Sequence, residues 1–192
     1  MYLAPCANKG SAKQETAKMQ TTQENTCRIY VACLAAYNAG KLHGEWIDCN
    51  GLTGEEIQAK IDAMLARSPE PDAEEWAVHD HEGWHGLIKG EWPCLNELAE
   101  WAELIEEHGE AFAMYAAHVG GADASQFEDA YRGKWDSFRE YVEQTCEEIG
   151  YLDNVPEHIK FHIDWESVAH EWGYEHFEED ATGGGVHVFS SH

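Results

Sequence analysis

The sequence predicts an α+β fold split into three small subdomains: a ββαβ sheet unit, a short helical connector and a mixed α+β C-terminal unit. Three observations carry this prediction. Alternating apolar residues at 28–35, 45–49 and 75–80 bracket one stretch of helical period. Glycines and prolines cluster from Gly83 to Pro93 and again at Gly120-Gly121, where they mark boundaries. Between those boundaries acids and apolar residues recur at helical spacing on opposite sides. The resulting division is 1–26, a disordered N-terminal extension; 27–93, the ββαβ domain; 94–124, the helical connector; and 125–192, the C-terminal domain.

Taken in order, residues 1–24 are rich in Gln, Thr, Ala and Lys and lack apolar periodicity. RIYVACLA (28–35) alternates and reads as a strand. A loop with Asn38, Gly40 and Gly44 leads to a returning strand, EWIDC (45–49). Thr53 and Glu56 form a capping box, and Ile57, Ile61, Met64 and Leu65 carry helical period to about Arg67. SPEPDAEE is a turn, and EWAVHD (75–80) is the third strand. A helix over about 95–107 ends near Gly109, and a second, EAFAMYAAHV, stops at Gly120-Gly121. Ser125 and Glu128 match a second capping box, and Gly133 then breaks the helix or turns the chain. Phe138, Tyr141, Val142, Thr145 and Ile149 form one helix face, with Glu140, Glu143, Glu147 and Glu148 outside it. Asn154-Val-Pro156 opens a short helix, and Asp164–Trp172 is another. Val186–Phe189 alternates as an edge strand.

Charge is the dominant compositional fact. The 192 residues carry a formal net charge of −25, with 43% hydrophobic content, 8 Trp, 8 Tyr and 6 Phe. So much apolar and aromatic material excludes a disordered acidic chain, so the protein folds against its own repulsion. Lys9, Lys13 and Lys18 against Glu15 and Glu24 leave about −26 on the remainder. Nucleic acid and anionic membrane are excluded as direct partners; basic proteins, cations or a basic groove are favoured. No apolar run is long enough for a membrane span or a secretory core. None of the six cysteines has C-x-x-C spacing, which fits free thiols in a cytoplasmic protein.

The acids are also organised. Glu97, Glu100, Glu103, Glu106, Glu107 and Glu110 recur on one side of a helix, with Leu98, Trp101, Ala102, Ile105 and Phe112 on the other. Like charges at this spacing repel by a few tenths of a kcal/mol per pair. Such a ridge either solvates a helix or presents negative charge to a partner. Glu140, Glu143, Glu147 and Glu148 form the second candidate ridge.

Conventional catalytic chemistry finds little support. His79, Asp80, His81 and Glu82, with His85 nearby, are the best metal-like cluster. His79 and His81 would point the same way on a strand, but no H-E-x-x-H spacing accompanies them, and polar residues at a strand end account for the cluster. There is no G-x-S-x-G elbow, phosphate loop or EF-hand loop. No catalytic residue, cofactor or metal is assigned.

Four blocks carry a family resemblance. Ile29, Tyr30, Val31, Leu34, Tyr37, Asn38, Gly40, Leu42, Gly44 and Trp46 form a pattern that resembles the opening of ArdA antirestriction proteins. EEWAVHDHEGW (74–84) is similar to that family's second block through Ala77, Asp80, Glu82 and Gly83. FEDAYRGKWDSFREYVEQ (127–144) and FHIDWESVAHEW (161–172) follow in the right order. Residues 1–27 and the Gly-rich tail depart from the pattern.

The resemblance implies an elongated homodimer of three small domains per protomer, joined through the C-terminal domain. It implies a DNA mimic, encoded on a conjugative plasmid, transposon or phage, that occupies the DNA-binding groove of type I restriction–modification enzymes. A dimer would carry roughly 52 negative charges, the charge of about 90 Å of duplex. The rival classes are an acidic adaptor or cation-binding protein with another basic partner, and a metal-dependent enzyme.

Overall fold

The structure is a computed structural model and describes residues 26–191. The disordered extension expected over 1–26 lies outside the described residues, apart from Thr26. The class is mixed α+β: among the described residues there are two three-stranded antiparallel sheets, and helices accompany each. The chain divides into two compact units after Gly109.

The first unit contains β1 (Arg28–Cys33), α1 (Leu34–Asn38), β2 (Gly44–Asp48), α2 (Gly54–Leu65), β3 (Trp76–Glu82) and α3 (Leu95–His108). Its sheet has the order β2-β1-β3. Ile29 and Val31 of β1, Ile47 of β2, and Ala77 and Val78 of β3 are buried with Ile57, Ile61 and Met64 of α2. The expected ββαβ order is present, with one addition. The first strand ends at Cys33 rather than residue 35, because Leu34, Ala35 and Ala36 favour helix. Backbone bonds from Cys33 N to His43 O (2.9 Å) and from Leu34 N to Glu75 O (3.0 Å) hold that switch.

β3 runs further than expected, to Glu82, and is bulged. Tyr30 pairs with Asp80 and Val31 with Val78, so His79 is the extra residue. The outer edge of β3 is covered at its start, over Trp76 and Val78, by a strap. Val78 N donates to Glu91 O (2.8 Å), and Trp92 Nε1 donates to Trp76 O (2.9 Å).

The Thr53–Glu56 capping box forms in both directions at the start of α2. Gly54, next to it, lets α3 approach closely: a Cβ there would sit 2.9 Å from the Asn96 backbone N. Leu98, Ala102 and Ile105 of α3 are buried.

The second unit contains α4 (Glu110–Val119), α5 (Ala124–Ala130), β4 (Tyr131–Trp135), α6 (Phe138–Glu148), α7 (Glu157–Lys160), α8 (Trp165–Trp172), β5 (His176–Asp180) and β6 (Val186–Ser190). The sheet order is β4-β6-β5. Val186–Phe189 is therefore in the central strand, not an edge, and Val188 and Phe189 are fully buried. Its two neighbours are short and half polar, so neither alternation stands out in the sequence. Tyr141, Val142, Cys146, Ala169 and Val188 form a core cluster flanked by Trp135, Phe138, Trp165 and Trp172.

Two helix details differ from expectation. The cap of α5 is Asp123 with Gln126, two residues before the Ser125–Glu128 match. Both pairs fit the spacing, but the chain is still extended at Asp123 on leaving the Gly120-Gly121 turn. Ile149 is exposed, because α6 ends at Glu148 and leaves Ile149 as its C-cap; Cys146 takes the buried position instead.

Candidate functional site: an acidic helix face

The ridge follows from how α3 packs. Burying Leu98, Ala102 and Ile105 turns Glu97, Glu100, Glu103, Glu106 and Glu107 outward, and all five are exposed. These carboxylates span ten residue steps, about 15 Å of helix axis, with a mean axial spacing of roughly 4 Å. Glu103, Glu106 and Glu107 line an open groove of about 510 Å³ with Gly51, Leu52, Thr53 and Ala99. Asn50 anchors the groove: its Oδ1 accepts from Cys27 N (2.7 Å) and its Nδ2 donates to Glu106 (3.2 Å). His108 Nε2 lies 4.0 Å from Glu107.

Glu110 does not belong to this ridge. Gly109, at φ +73°, stops α3 and resets the helical phase. Glu110 then turns into the second unit, where it accepts from Thr182 N (2.9 Å) and His187 Nε2 (3.2 Å). Partial burial alone would raise its pKa, but these donors outweigh burial and hold its carboxyl below the usual glutamate value.

The second ridge is only partly free. Arg139 bonds Glu143 (2.7 Å) and Glu166 (3.2 Å). Glu140 sits in the first turn of α6 and accepts from Asp136 N (3.0 Å), while Gln144 donates to Glu148 (2.9 Å). Glu147 and Glu148 remain exposed. The Arg139–Glu143 pair was readable as an i,i+4 spacing; the Glu166 contact crosses elements and was not.

The motif residues of the opening block lie in and around the first hairpin. Tyr30 and Trp46 face each other across β1 and β2, with ring centroids 5.6 Å apart. Gly44 is required beside Val31, since a Cβ would meet the Val31 backbone O at 2.5 Å as well as the Tyr30 ring at 2.7 Å. Arg28 lies over Trp46 at 4.7 Å and pairs with Glu82 at 2.6 Å. Leu34 is half-buried, while Tyr37, Asn38 and Gly40 are exposed in and after α1. Asp80 accepts from His81 N (2.8 Å), and Gly83 follows β3 beside Thr26. Tyr30, Gly44, Trp46, Asp80 and Glu82 lie in the sheet, and Leu34, Tyr37, Asn38 and Gly40 in the turn of chain that joins its first two strands.

The bulge breaks the alternation that would set His79 and His81 side by side. His79 instead meets the Tyr37 ring edge-on at 4.8 Å. Among the described residues no group of three or more His, Cys, Asp or Glu is placed to hold a metal ion. No helix among them is long and apolar enough to cross a membrane.

A profile of the antirestriction protein (ArdA) family matches residues 29–184. The chain belongs to the ArdA antirestriction family. The ArdA match begins at the second residue of β1 and ends in the turn before β6. It therefore takes in α3 and its acidic face as well as the hairpin. A search among curated proteins found no match to this ArdA chain.

Proposed function

We propose that this ArdA protein acts without catalysis, as an acidic mimic of duplex DNA in the groove of a type I restriction–modification enzyme. The α3 ridge carries the reading. Its axial charge spacing of roughly 4 Å is close to the about 3.4 Å per phosphate along one DNA strand. Binding would release anions condensed in the basic groove, as DNA binding releases cations. A protein filling that groove blocks restriction by competing with DNA. The acting species is a cytoplasmic homodimer of three-domain protomers, joined through the C-terminal domain. Ile149, Tyr151, Ile159 and Phe161, exposed large apolar residues all within 149–161, support that contact.

The test is displacement of labelled duplex from a type I methyltransferase core at two salt concentrations. The reading expects an apparent inhibition constant that rises with DNA concentration and weakens steeply with salt. Inhibition indifferent to DNA concentration overturns it. Arg139, which satisfies Glu143 and Glu166 internally, favours the rival reading of an acidic adaptor. An adaptor would displace no DNA.

A further inference from the structure

Trp92 is 67% exposed, although it is one of the largest apolar side chains of the first unit. It is not loose. Its Nε1–H donates to Trp76 O, and the neighbouring Glu91 carbonyl accepts from Val78 N. The indole is thus held at the edge of the sheet by the strap. Leu34, Glu74, Glu75, Trp76 and Trp92 line a cleft of about 350 Å³ there. Both glutamates are exposed, and among the described residues neither has an ion-pair partner.

We infer that this cleft binds an arginine side chain of a basic partner protein. This rests on the partner being basic, as proposed above. A guanidinium is the group whose demands match the lining. It is planar and weakly hydrated, so it lies against indole and aliphatic surface more readily than an ammonium does. Its N–H fork reaches carboxylates, which Glu74 and Glu75 supply at the rim. An anionic side chain would be repelled, and a purely apolar one would desolvate the two carboxylates without compensation. The cleft adds something that a charge-only mimic lacks: an aromatic anchor of the kind that dominates protein interfaces.

The test titrates the full chain with hexa-arginine and hexa-lysine amides, following tryptophan fluorescence. Wild type should prefer the arginine peptide by about five-fold. Trp92→Ala should abolish the preference while leaving lysine-peptide affinity unchanged. Trp92→Phe keeps a ring but not the donor and should retain most of the preference, so loss of fold is separable from loss of the slot. Equal affinities in wild type, or a preference that survives in Trp92→Ala, overturns the proposal. On a type I methyltransferase core, Trp92→Ala should weaken inhibition about ten-fold with the salt slope unchanged. If wild type fails to inhibit there, the mimic reading falls, and the peptide titration still decides the cleft. Inhibition equal to wild type by a Trp92→Ala chain that has lost arginine preference overturns the slot's role toward that partner.

Discussion

The triple variant Glu100→Gln/Glu103→Gln/Glu107→Gln should stabilise the protein and disable it at once. On α3 the like-charge neighbours are Glu97–Glu100, Glu100–Glu103, Glu103–Glu106 and Glu103–Glu107. Three substitutions remove all four repulsions, each worth about 0.2–0.5 kcal/mol at low salt. Glu97 is kept because it sits in the first turn, where the helix dipole favours it. Glu106 is kept because Asn50 bonds it. The variant should therefore gain about 1–2 kcal/mol in urea unfolding at low ionic strength, most of it vanishing in high salt. Inhibition should move the opposite way. Three exposed charges, at about 0.5 kcal/mol each, predict a loss on the order of ten-fold. The slope of log inhibition constant against log salt should fall by about 2–3. Urea curves and duplex-displacement titrations, each at two salt concentrations, read both effects. A stabilised variant that inhibits as wild type does would show that the ridge only solvates its helix, and the reasoning would fail.

Other consequences follow from packing and ionisation. Gly54→Ala forces α2 and α3 apart at Asn96 and should cost about 1–3 kcal/mol in urea unfolding. Glu110→Ala strips Thr182 and His187 of an acceptor and should cost on the order of 1–2 kcal/mol at neutral pH. Because the folded Glu110 pKa is depressed, wild type keeps this contribution above the usual glutamate range and loses it as pH falls through the folded value; the variant's acid unfolding should be correspondingly flatter. Burial, with Cys49 and Glu106 near, pushes the Cys27 thiol up to about 12, and burial with Asp48 does the same for Cys49. At pH 8 a disulfide reagent should label exposed Cys94 quickly and reach Cys27 and Cys49 only on unfolding. Phe161→Asp should shift the sedimentation coefficient from dimer to monomer if the 149–161 surface joins protomers; an unchanged value would rule that surface out.

Much of this was readable because a single helix buries what its period says it buries. Leu98, Ala102 and Ile105 point inward, and five of six ridge glutamates are exposed, as spacing alone implies. The sixth was lost where periodicity stops being a valid ruler: Gly109 breaks the helix, so Glu110 no longer shares its phase. β4 and β5 escaped notice for a related reason. Each strand is only five residues long: Gly133 sits in the middle of YRGKW and reads as a break, and HFEED ends in three consecutive acids. The Arg139–Glu166 contact and the two bonds of Asn50 depend on residues distant in sequence, and no local pattern encodes them.

The strap along β3 has a use that appears only once a partner arrives. A strongly acidic chain resists clumping because its copies repel one another, and a cationic surface cancels that protection. An open strand would then be a template on which further chains could grow. With Val78 N and Trp76 O already engaged by Glu91 and Trp92, the first half of that edge is closed to such growth.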